Sequence, residues 1–228
     1  MVSTPLQTKN MNKISVYSPN LEERKDRKKS IEFQFKEKQE FSLIIVPAIK
    51  HEIGAYGLSK TLIRIVETEC RKRSDFFIFC EDDHVFTKKY NYHYLIESIN
   101  LANEKKADLL LGGVSCMADP IQCTSHLFWV RVFNGLQFTV VYRRFYEKIL
   151  NSNLGEGCIT DFYLSQLSDN KFVMFPFISK QREFGYSDIT RINGQKGHVD
   201  KLFFNAEHSL SILNSIRNFY QNISHGIR

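Results

Sequence analysis

The run Phe76-Phe77-Ile78-Phe79-Cys80-Glu81-Asp82-Asp83-His84-Val85-Phe86 constrains this chain more than any other stretch. Five apolar residues give way at once to three carboxylates, and hydrophobicity resumes after His84. An apolar run without polar alternation predicts a strand buried on both faces, as in a parallel or mixed sheet. Ligands in such sheets gather at the carboxyl ends of the strands, which is where Glu81 to Asp83 fall. Adjacent carboxylates repel one another, so clustering them is costly unless water or a cation neutralises them. If the backbone stays extended, Glu81 and Asp83 share one face and Asp82 points the other way. Such a pair suits a hard divalent ion, which takes oxygen ligands and keeps positions open for phosphates. A solvated acidic turn that merely ends a strand would carry the same residues.

The flanking pattern sets the fold class. Ile14 to Ser18 is a short strand closed by Pro19-Asn20, and the charged segment from Leu21 to Lys38 is helix-prone, with Ile31 and Phe35 on one face. Leu43 to Val46 is a second buried strand halted by Pro47. After a loop from His51 to Gly57, the spacing of Leu58, Leu62, Ile65 and Val66 predicts an amphipathic helix. A helix over Tyr90 to Lys106 and a strand over Asp108 to Leu111 follow the central run. The alternation predicts an α/β fold, a mixed sheet flanked by helices. Further on, Leu127 to Phe133 and Leu136 to Tyr142 flank Asn134-Gly135, which predicts a hairpin. Arg143 to Asn151 reads as a helix, and Asp161 to Leu167 as a short helix capped by Thr160. A last strand spans Lys171 to Phe177. Residues 178–205 lack periodicity and suit a substrate loop or a plain surface loop. Leu210, Leu213, Ile216, Tyr220 and Ile223 mark a C-terminal helix. The expected organisation is one domain over 1–205, with an amphipathic helix over 206–228 belonging to it.

Composition narrows the partners. A hydrophobic share of 43% with 19 Phe and 10 Tyr is ample for a core. The formal charge of +6 suits nucleotide phosphates, nucleic acid or anionic lipid headgroups, although its dispersal also fits a solvated basic surface. Five cysteines without a CxxC spacing speak against a disulfide framework or a zinc site and for a reducing compartment. Met1 to Asn10 is polar, and no apolar run approaches a bilayer-spanning length. A soluble, cytoplasmic protein is the expectation.

Several segments in order resemble glycosyltransferase family 25, the lipooligosaccharide and collagen galactosyltransferase-like group. Asn20-Leu21 with Arg24 and Arg27 is similar to the family's opening after its first strand, and Pro47-Ala48 to the end of its second. Gly57-Leu58-Ser59 resembles its Gly-Ser segment opening a helix, with Lys60 where the family has histidine. Glu81-Asp82-Asp83 followed by Phe86 matches its acidic motif. Gly135 to Tyr142, Thr160-Asp161 and Ser187-Asp188-Ile189 fall where it has a strand, a lone Asp and a Ser-x-Ile. The match covers roughly residues 14–190.

The resemblance implies a GT-A fold, a nucleotide-sugar donor (UDP-linked by expectation), inversion at the transferred hexose, and a saccharide or lipooligosaccharide acceptor. It also implies a divalent cofactor, Mn2+ or Mg2+, held by Asp83 and Glu81 with His198 as a late ligand. Arg24, Arg27, Ser59, Lys60, Glu81 and Asp82 are the expected nucleotide-sugar contacts. Asp161 is the first candidate base and Asp188 the second. For an Asp at a helix start, a dipole-favoured structural role stands beside the catalytic one. Competing readings are a non-catalytic sugar- or nucleotide-binding scaffold and a metal-dependent nuclease or phosphotransferase. The nuclease lacks a lysine close behind the acids on a strand, so no nucleic-acid partner is expected. A peripheral site at the inner face of a membrane would suit a lipid-linked acceptor, with the C-terminal helix lying on the surface or docked on the body.

Overall fold

The computed structural model describes residues 13–153, 159–186 and 195–226. Its first half alternates strand and helix: β1 (Ile14–Asn20), α1 (Lys25–Phe35), β2 (Phe41–Pro47), α2 (Gly54–Lys72), β3 (Phe76–Phe79), β4 (His84–Phe86), α3 (Tyr92–Glu104) and β5 (Leu109–Leu111). Short strands follow: β6 (Cys116–Ala118), β7 (Ile121–Gln122), β8 (Leu127–Trp129), β9 (Val132–Asn134) and β10 (Thr139–Tyr142). The chain ends with α4 (Arg143–Leu150), α5 (Thr160–Leu167), β11 (Lys171–Met174), β12 (Ser179–Gln181) and α6 (His198–Gly226).

The main sheet has eight strands in the order β2-β1-β3-β10-β5-β11-β8-β7. β1 pairs in parallel with β2 on one side and β3 on the other, so the chain steps outward from β1 to β2 and then back across β1 to β3. The two crossover helices therefore cover opposite faces. Ile31 and Phe35 of α1 pack with Val16 and Ile78, while Leu62, Ile65 and Val66 of α2 pack with Tyr17, Phe77 and Phe79. Alternation along β3 feeds both cores at once, which is why its sequence is apolar throughout. β10 runs antiparallel between β3 and β5 and makes the sheet mixed. The α/β reading holds, with helices on both faces and a long helix at the end.

Three expectations need correcting. The predicted hairpin at Asn134-Gly135 does not form: β9 pairs with β6, β8 with β11 and β7, and β10 with β3 and β5. The dipeptide is instead an exit from β9. Ser115 donates to the Asn134 carbonyl and side chain, and Gly135 takes φ +119°, a value that disfavours other residues. Thr160 does not cap α5: it is the first helical residue, and its hydroxyl bonds Ala55 O and the Ser59 hydroxyl. The strand expected to reach Phe177 stops at Met174, before Pro176, which lacks the ladder N–H.

The aperiodic stretch after residue 177 holds β12, paired antiparallel with β4, and α6 begins at His198 rather than near 206. The expected C-terminal stripe is also divided. Val199, Phe203, Ala206 and Leu210 are buried and Leu213 is half-buried, whereas Ile216, Tyr220 and Ile223 are exposed. Among the described residues no helix is long and apolar enough to cross a membrane.

Candidate functional site

The carboxyl ends of β1, β2 and β3 open on one cleft of about 450 Å3, a size typical of small-molecule sites. It lies where the connections from β1 and β2 diverge to opposite faces of the sheet, the position at which open α/β sheets leave a crevice. Pro19, Arg24 and Arg27 come from the β1–α1 segment, Ala48 to Glu52 from the end of β2, Glu81 to Asp83 from the end of β3, and Gln181 to Tyr186 from beyond β12. Gly57 lets the first turn of α2 close against this region: a Cβ there would lie 2.2 Å from Ile49 O. Ile49 N donates to the Thr61 hydroxyl at 2.9 Å, fixing the same approach.

The acidic stretch is a turn, not an extension of β3. His84 N donates to Glu81 O at 3.1 Å, and the strict alternation expected for an extended chain is lost. Asp82 is buried and accepts from Asn20 Nδ2 at 2.9 Å and Arg27 Nη1 at 3.1 Å. Asp83 accepts from the same Arg27 nitrogen at 2.9 Å. Glu81 lines the same cleft and accepts from Gln181 Nε2 at 3.0 Å. Asp161, on α5, accepts from Gly135 N at 2.6 Å and is not among the residues that line the cleft. Its charge is near enough to raise the Glu81 pKa.

Glu81, Asp83 and Asp161 are held against their ionised forms. Burial, then the charges of Asp83 and Asp161, pushes Glu81 well up. Burial lifts Asp83 to about 6 although Arg27 pulls it back, and burial lifts Asp161 to about 6 against the Gly135 amide. One oxygen, Asp83 Oδ1, is buried without a hydrogen-bond partner. An orphaned carboxylate oxygen beside a second raised carboxylate is a donor set for a hard cation. The set is small. Among the described residues no group of three or more His, Cys, Asp or Glu is arranged to hold a metal. His198 opens α6, and Val199 rather than His198 lines the cleft. Asp83 and Glu81 fit a divalent ion that takes its remaining oxygens from a phosphate ligand and water.

Arg27 is an internal counter-ion more than a free contact. Burial opposes its charge, but Asp83 and Asp82 raise its pKa further above the ordinary arginine value. Its guanidinium lies 4.9 Å from the Phe184 ring and 4.8 Å from the Tyr186 ring, and Nη2 donates to Tyr186 O at 3.0 Å. Arg24 is on the cleft wall with Nη1 3.8 Å from Asp82.

Two expected contacts lie away from the cleft. Ser59 is fully buried and bonds Ala55 O and Thr160, joining α2 to α5. Lys60 is exposed, with its ammonium 4.6 Å from the Tyr56 ring. Asp188 lies outside the described residues. His84 is a neighbour rather than a ligand: it is buried among Phe35, Phe86 and Phe138, bonds the Ser179 hydroxyl at 2.7 Å, and is pushed down to about 3 by burial.

Sequence reasoning missed the β12 contribution. Gln181 holds Glu81, Arg182 N donates to Asp83 O at 2.7 Å, and Phe184 and Tyr186 flank Arg27. A three-residue strand is too short to show a period of two, so only the family-like Asn20-Leu21 and Arg27 gave a signal for this cluster.

The chain matches no family profile and no curated protein. Among solved structures it is similar to a glycosyltransferase involved in glycosylation of the major capsid of PBCV-1, at 10% identity and TM-score 0.39 over 72% of this chain and 94% of that one. It is also similar to a UTP-bound UGPase from Acinetobacter baumannii, at 12% identity and TM-score 0.43 over 83% and 71%. A third is HddC from Yersinia pseudotuberculosis, at 11% identity and TM-score 0.40 over 86% and 78%.

Proposed function

We propose that this protein is an inverting glycosyltransferase of the GT-A kind, resembling family 25. It moves a hexose from a nucleotide-diphosphate sugar, UDP-linked, to a saccharide or lipooligosaccharide acceptor. One observation supports this reading above the others. Glu81 and Asp83 line the cleft at the divergence of β1, β2 and β3, and the charge of Asp161, from a distant part of the chain, is near enough to raise the Glu81 pKa.

The chemistry needs two things from the protein. A departing nucleoside diphosphate gains negative charge as the sugar–phosphate bond breaks, and an acceptor hydroxyl must lose its proton as its oxygen attacks the anomeric carbon. Asp161 suits the proton. It is fixed by the Gly135 amide, and a pKa of about 6 lets it be ionised yet basic near neutrality. Arg24 and Arg182, both on the cleft wall, face the phosphates, while Arg27 keeps the acidic turn in shape. Asp83, through its orphaned Oδ1, and Glu81 would hold Mn2+ or Mg2+, which when bound offsets the charge of the leaving diphosphate. Gln181 orients Glu81 for that task.

A panel of nucleotide sugars tested for donor hydrolysis and for transfer to simple saccharides is the direct check. Turnover of at least one donor is expected, and Asp161→Asn should retain donor binding while losing turnover. A protein that binds donors but turns none over would instead be the non-catalytic scaffold.

A further inference from the structure

The long helix α6 has two apolar faces, and only one is used. Val199, Phe203, Ala206 and Leu210 dock on the body, and Arg217, seven residues past Leu210, continues that face. On the opposite side Phe204, Ile212, Ile216, Phe219 and Ile223 are exposed, Phe204 by 68% and Phe219 by 62%. Six of the twelve exposed large apolar side chains among the described residues lie on this one helix, so the exposure is concentrated and not scattered. From Asn218 to Ile223 every residue is exposed, and the body does not cover this stretch.

The spacing of this face says what covers it. Ile212, Ile216, Phe219 and Ile223 are separated by four, three and four residues, the alternation of a helix–helix seam. The exposed residues beside them are Ser211, Ser215, Asn218, Tyr220 and Asn222, and Arg217 is the one Lys, Arg, Asp or Glu between Ser209 and Ile223. A helix lying on an anionic membrane carries Lys and Arg along its polar face, and this one does not. Two identical copies, by contrast, meet here without opposing like charges. We propose that a second copy of this chain docks on the face as an antiparallel helix pair, giving a two-fold symmetric dimer. An isologous contact needs a self-complementary patch, and the antiparallel register supplies one. The four-three-four spacing reads the same in both directions, so in the antiparallel register Ile212 faces Ile223 of the other copy and Ile216 faces its Phe219. A parallel pair would bring both bodies to the same end of the helices.

Light scattering and sedimentation of the full chain across a concentration series test this. A concentration-dependent dimer is expected. Phe219→Asp should raise its dissociation constant roughly 100-fold or more while the melting temperature of the monomer stays put, because the residue is exposed there. Ile212→Glu and Ile223→Lys should each weaken the dimer, and combining them in one chain should restore it, since the two positions oppose each other. A parent that is monomeric throughout overturns the proposal, and vesicle binding by such a monomer would assign the face to lipid. A dimer that survives Phe219→Asp and Ile223→Lys alike also overturns it, and failure of the combined variant to recover dimer overturns the antiparallel register.

Discussion

At the scale of single residues, the site is a set of carboxylates kept above their ordinary pKa by burial and by one another. Asp83 and Asp161 at about 6 bind protons in the folded chain that the unfolded chain has lost above its carboxylate pKa of about 4. Folding stability therefore falls as pH rises from about 4 to 6, and the full penalty is present above that. For Asp161 alone the shift corresponds to at most about 3 kcal/mol. Asp161→Asn should thus lower turnover by about two to four orders of magnitude and raise the melting temperature at pH 7.5, with little thermal gain at pH 4. Equal melting temperatures at both pH values would show that burial does not strain this carboxylate. Mn2+ affinity should likewise tighten as pH rises through about 6, because the ion must displace the protons of Asp83 and Glu81. A titration at pH 5.5 and pH 7.5 reads this directly, and a flat profile would move the ion elsewhere. The acidic turn was legible because charge following an apolar run is a local signal. The split of its roles was not, since Asp82 and Asp83 are sorted from Glu81 by Arg27 and Gln181, which are remote in sequence.

At the scale of elements, legibility followed length and locality. β1, β2, α2 and β3 carry long apolar patterns and were found within a few residues of their ends. The Asn134-Gly135 dipeptide misled because a turn signal reports local backbone preference, while strand pairing is decided by which edges of a sheet are open. β4 and β12 are three residues each, below the length at which alternation can be seen, yet they bring Gln181 and Arg182 to the site. The C-terminal helix was legible as a helix but not as one with two apolar faces. Truncation after Glu207 removes Leu210, fully buried, and Leu213, half-buried. The loss is about 1.5–3 kcal/mol for Leu210 with a smaller share for Leu213, which lowers the melting temperature by roughly 5–10 °C. Calorimetry checks this, and a drop large enough to unfold the protein at room temperature would mean that the outer half of α6 also packs on the body.

At the scale of the whole molecule, the order of strands places the chemistry. β1 lies between β2 and β3, so the two crossovers part at its carboxyl end and leave the cleft that Glu81 to Asp83 enter. That placement follows from the alternation of buried strands and amphipathic helices, which the sequence carries openly. The influence of Asp161 on Glu81 does not follow from it, since eighty residues and the strands β4 to β10 intervene. The central claim is that this assembled cleft binds a nucleoside diphosphate through a metal on Asp83. Titration calorimetry of UDP, with and without Mn2+, tests it most directly on the parent and on Asp83→Asn, which keeps an acceptor for Arg27. The account predicts manganese-dependent UDP binding by the parent and its loss in a variant that still folds. No UDP binding by the parent, or unchanged affinity in Asp83→Asn, would contradict it.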